Sequence, residues 1–83
     1  MATDRKKLLS AIEDAKAGRW EEAHNAAQSL EGDPHADWLH AILHKIEGDG
    51  ANSRYWYART RHTYENWPES HEELDALQRE LSA

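Results

Sequence analysis

An all-α fold is what this sequence predicts, and three observations carry it. The chain has no valine and no phenylalanine, so two of the better strand formers are missing, while alanine (13) and leucine (8) abound. Apolar residues recur at helical spacings rather than in strict alternation. Glycine and proline separate the apolar stripes, and each ends a helix for its own backbone reason. At 83 residues, the chain suits one domain that buries only about 60% of its unfolded surface, so the core is modest.

Thr3 or Asp4 is placed to cap a first helix in which Leu8, Ile12 and Ala15 share a face. Gly18 interrupts it. A second helix starts at Trp20 with Glu21 and Glu22 in its first turn, where carboxylates complement the helix dipole. Gly32 and Pro34 break the chain again, and a third helix is expected from about His35 to Glu47. Trp38, Leu39, Ile42, Leu43 and Ile46 form its apolar stripe. After Gly48 the chain turns, Asp49 or Asn52 caps, and a fourth helix carries Tyr55, Trp56 and Tyr57 onward to Tyr64. On that helix Trp56, Thr60, Thr63 and Trp67 would share a face. Pro68 breaks it, and Ser70 with Glu73 reads as a capping box for a last helix whose Leu74, Leu77 and Leu81 align.

The halves of the chain repeat. Gly18 aligns with Gly48, Ala23 with Ser53 and Ala27 with Tyr57, at a constant offset of thirty residues. Ala11 and Ala41 each stand seven positions before a glycine. Small residues at such places let two helices approach closely, and the glycine ends the first without a Cβ penalty. The unit resembles the tetratricopeptide repeat over residues 5 to 64. It departs from that pattern in its period, in Ala27, in Trp38 standing one place off, and in having two units. The resemblance implies two stacked antiparallel hairpins, over about 4–31 and 35–66, with a capping helix at about 69–82. More narrowly, the block from Trp38 to Tyr57 resembles W-x-H-A-x-x-H-x-x-E-G-D-x-x-N-x-x-Y-W-Y, shared by small bacterial helical proteins without an established function. Arg59, Thr60 and Arg61 replace the Arg-Ala-Gly expected after the triplet. That resemblance lends no activity.

The absence of cysteine excludes disulfides, thiolate metal sites and cysteine nucleophiles. No apolar run approaches the roughly 20 residues of a membrane span, and MATDRKKLL lacks the apolar segment of a signal peptide. A soluble, cytoplasmic protein is expected. A net charge of −6 argues against a nucleic-acid partner. The local exception is Arg54, Arg59 and Arg61 among aromatics, and the acidic segment from Glu65 to Glu80 is placed to neutralise it.

His40, His44 and Glu47 lie within about 60° on one helix face. An i, i+4 histidine pair can grip one transition metal, and Glu47 or His24 of the second helix can add a ligand. The protease arrangement H-E-x-x-H is absent, because Ala41 occupies the place of its glutamate. The alternative is a stripe, opposite Leu39, Leu43 and Ile46, that is solvated or hydrogen-bonds the preceding hairpin. Most of the four tryptophans and three tyrosines are expected in the core. A groove using Trp56, with Arg54 and Arg59 holding an anion, is the functional alternative. There is no phosphate loop, nucleophile motif or carboxylate pair, which leaves His40 or His44 as a general acid–base. The expected function is therefore a non-enzymatic module without a cofactor that binds a protein or peptide. Binding of a transition metal or small ligand through His24, His40, His44 and Glu47 is the runner-up.

Overall fold

Local signals place the helix boundaries. Pro34 sits in the first turn of its helix, where a missing N–H costs nothing, and the Asp33 carboxylate caps that turn by accepting from the amides of His35 and Ala36. The same helix stops at Gly48, whose φ of 91° is the left-handed conformation that a side chain would resist. Asp49 then caps the next helix through the amide of Asn52, so the cap is Asp49.

The computed structural model describes residues 2–83, with side chains from Asp4 onward. It contains α1 (Ala2–Lys16), α2 (Trp20–Ser29), α3 (Pro34–Glu47), α4 (Gly50–Tyr57) and α5 (Ser70–Ser82). There is no strand among the described residues. No helix among them is long and apolar enough to cross a membrane.

The α3 helix is the centre of the molecule, because α1, α2, α4 and α5 all pack against it. Every residue from Ala36 to His44 is consequently buried, whichever way it faces. Leu8 and Ile12 of α1, Leu39, Ile42 and Leu43 of α3, and Leu74 and Leu77 of α5 form the main contacts of the core. Ser53 is the small residue that lets α4 approach α3, and its hydroxyl donates to the Ala41 carbonyl at 2.7 Å.

Several expectations are corrected. Asp4 lies inside α1 rather than capping it, and the cap expected of Thr3 rests on a side chain outside the described residues. The fourth helix ends at Tyr57, seven residues early, so Trp56, Thr60, Thr63 and Trp67 share no helical face. Thr60 causes the stop by local bonding: its hydroxyl donates to the Tyr57 carbonyl and accepts from the His62 amide. Ser70 begins α5 but makes no capping bond, and Glu73 turns inward instead. Ile46 is 45% exposed and Tyr55 58% exposed, since no neighbouring helix covers either place.

Glu73 is fully buried. Its carboxylate accepts from Trp38 Nε1 at 2.7 Å, Tyr57 Oη at 2.6 Å and Lys45 Nζ at 2.9 Å. Lys45 donates again to the Trp67 carbonyl at 3.0 Å. One α5 side chain thus fastens that helix to α3 and α4, with each donor satisfied. Burial and the Glu73 bond hold the Tyr57 phenol well above its usual pKa.

Candidate metal centre

His40 and His44 stand one turn apart on the face of α3 that meets α2 and α4. His24 reaches the same place from α2. The three residues bring ligand nitrogens within 4.8 Å of one another. Ring centroids lie 4.7 Å apart for His24 and His40, 5.3 Å for His24 and His44, and 4.9 Å for His40 and His44.

Two indoles wall the cluster. Trp56 of α4 lies parallel to His40 at 3.8 Å, and Trp20 of α2 lies parallel to His24 at 4.7 Å. Trp20 is fixed by its own Nε1–H, which donates to the Leu43 carbonyl at 2.7 Å, and its ring meets His44 edge-on. Only 3% of His40 and 6% of His44 is exposed. The two histidines of the stripe are therefore buried rather than solvated, while Glu47 at its end is exposed. The physical reason is the central position of α3: a polar stripe opposite its Leu39 and Leu43 meets other helices, not water.

The hydrogen bonding of the three imidazoles is uneven. His44 Nδ1 lies 2.9 Å from Glu47 Oε1, and a carboxylate only accepts, so that nitrogen is the donor. His40 Nδ1 is buried with no hydrogen-bond partner. Burial drives the His40 pKa down to about 4, and the neighbouring His24, His44 and Arg59 add to the shift. Burial also lowers the His24 pKa, with His44 acting in the same sense and Glu47 and Glu21 opposing it. Near neutral pH, His24 and His40 therefore offer lone pairs instead of positive charge.

Of the residues singled out from the sequence, His24, His40, His44 and Glu47 come together. Trp56 joins them as the stacking partner of His40, in the core. Arg59 lies behind Trp56, its guanidinium carbon 5.0 Å from the ring centre, and is paired with Glu31 at 3.3 Å. Arg54 is elsewhere. It pairs with Glu65 at 2.6 Å and lies over Tyr64. Trp20 is a wall of the site that the sequence pattern does not single out, although its spacing of four from His24 matches that of His40 and His44. Asp49, the cap of α4, also groups with His44 and Glu47 as possible ligands.

Comparison of the chain with protein-family models, curated proteins and solved structures finds no match.

Proposed function

We propose that this protein binds a transition metal ion through His24, His40 and His44, with Glu47 orienting His44 from behind. The observation that carries this reading is the unpartnered Nδ1 of His40, buried beside two further imidazoles. A packing role alone leaves that nitrogen unsatisfied, at a cost of about 1–3 kcal/mol that an apolar ring of similar shape would avoid. A metal ion supplies the missing partner.

The chemistry of the donor set supports the same reading. Imidazole suits zinc, copper and nickel, and all three need it neutral. Two nitrogens on one tetrahedral zinc stand about 3.4 Å apart, and the three ligand nitrogens here lie within 4.8 Å of one another. A ligating histidine usually donates its other N–H to a carboxylate, and His44 already does so to Glu47. Three protein ligands leave one coordination position for water or a small exogenous ligand.

The scaffold belongs to this proposal. Two stacked tetratricopeptide-like hairpins, α1 with α2 and α3 with α4, are supported by the buried small residues Ala11, Ala23, Ala41 and Ser53 at repeat positions. In that arrangement the metal joins the second helix of one unit to the first helix of the next.

The test is calorimetric titration of chelator-treated protein with zinc, nickel and copper at pH 7.5. One ion per chain should bind with submicromolar affinity, and His40→Ala or His44→Ala should remove it. A wild-type protein that shows no saturable binding of any of the three ions sinks the proposal.

A further inference from the structure

Two of the three clustered histidines owe their spacing to one helix, and the third does not. His40 and His44 stand four residues apart on α3, so the helical repeat alone sets them side by side. His24 arrives from α2, and its place beside them depends on how the two helices are held together. Ala23 and Ala27 are fully buried and let α2 pack closely. A methyl group, however, cannot fix the angle of a neighbouring ring.

Trp20 does both. It opens α2 four residues before His24. Side chains in a helix lean towards its N-terminus, so the imidazole leans back over the indole. The two rings lie within 10° of parallel, with centroids 4.7 Å apart. The same indole reaches the other helix. Its Nε1–H donates to the Leu43 carbonyl at 2.7 Å, and its ring meets His44 edge-on with centroids 5.8 Å apart. Leu43 directly precedes His44 in the chain, so α2 is tied to α3 beside the ligands themselves. Trp56 also covers a histidine, His40, but that ligand already shares a helix with His44.

We infer that Trp20 is the positioning residue of the proposed metal site, holding the His24 ring against His40 and His44 before any ion arrives. The inference rests on the metal reading. A loose ligand has to be ordered when the ion binds, and that loss of freedom weakens binding; a ring held beforehand avoids it. Trp20 touches no ion and acts only through His24. It therefore decides how many imidazoles the site presents: three with the indole in place, and the α3 pair without it. Residues behind the ligands typically change metal affinity by about 10- to 100-fold.

The experiment follows the histidine rings of the full chain by nitrogen-15 NMR, first in chelator and then with zinc. In chelator, the indole should move the His24 ring protons away from their positions in free histidine, and Trp20→Leu should return them. With zinc, one ring nitrogen should shift in each of the three histidines of wild type, and only in His40 and His44 of Trp20→Leu. Calorimetry on that variant should show zinc affinity down by about tenfold or more. Trp20→Phe keeps a stacking ring without the N–H and should fall between the two. That milder change carries the test if Trp20→Leu does not fold. A general loss of stability does not give this pattern. Leu81→Ala, in the last turn of α5, should melt lower yet still coordinate zinc through all three imidazoles. A wild-type protein that binds no zinc would overturn the metal reading and this inference together. His24 ring protons unmoved by Trp20→Leu, three coordinated imidazoles at undiminished affinity in that variant, or a Trp20→Phe protein equal to wild type would overturn this inference alone.

Discussion

The Tyr57 hydroxyl donates to the Glu73 carboxylate at 2.6 Å inside the core, joining α4 to α5 where water does not reach. Trp38 shares the same carboxylate oxygen and Lys45 takes the other, so the acceptor serves three donors from two helices. Such a group stabilises only while the set is complete. With one member removed, the others remain buried and unpaired.

Glu73→Ala should therefore cost on the order of 3–5 kcal/mol, measured by urea unfolding. That is a large part of a small domain's stability. Glu73→Gln should fall between, because one amide oxygen can still accept from Tyr57 and Trp38 while its NH₂ faces Lys45. A Glu73→Ala protein that unfolds with the wild-type midpoint and slope would show that the network holds nothing together.

The close approach of helices at small residues gives a second prediction. Ala23 and Ala41 have no exposed surface, so Ala23→Trp and Ala41→Trp should each destabilise by about 1–3 kcal/mol or more through overpacking. Ser53→Ala should cost less, about 0.5–1.5 kcal/mol, the usual net worth of one hydrogen bond. Thermal melts of both tryptophan variants that match wild type would place those alanines at the surface.

Stability should fall with acidification before the carboxylates matter. Burial holds folded His40 at about 4 against an ordinary 6.5, so the unfolded chain takes up its proton first. The contribution is full above pH 6.5 and is lost as pH falls towards 4, by on the order of 3 kcal/mol. His24 acts in the same direction. The groups facing His40 are His24, His44 and Arg59, with Glu47 beyond His44. Glu65 and Asp75, both lowered by their cationic partners Arg54 and Lys16, lose stability only below their ordinary values of 4.5 and 3.8. The window between pH 6.5 and 4.5 thus belongs to the histidines. Urea midpoints in metal-free buffer should drop across it in wild type and drop less in His40→Phe. A flat wild-type profile there would contradict the buried, neutral state of His40.

Glu47 tests the arrangement behind the proposed metal. Glu47→Gln leaves all three imidazoles in place but weakens the acceptor that holds the proton on His44 Nδ1. Zinc affinity should fall roughly 10- to 100-fold, with stoichiometry unchanged. Loss of the whole binding event would make Glu47 a ligand, and no change would remove it from the site.

Local chemistry made the helices legible in the sequence itself. Gly18, Gly32 and Gly48 all adopt positive φ, and Pro34 opens α3, because these residues restrict or free the backbone without help from neighbours. The spacing of His40 and His44 and the apolar faces of α1 and α5 follow from the same helical period. What periodicity describes, however, is a face relative to its own axis. It does not say how many neighbours the helix has. Only the packing of four helices around α3 decided that its histidine face is as buried as its leucine face, and that Ile46 is left outside. Only tertiary contact turned Glu73 from a capping residue into the acceptor for Trp38, Tyr57 and Lys45. The convergence of His24 from α2 and Trp56 from α4 on His40 is of the same kind. Those residues are distant in the chain, and their meeting depends on how helices cross rather than on any local preference of the backbone.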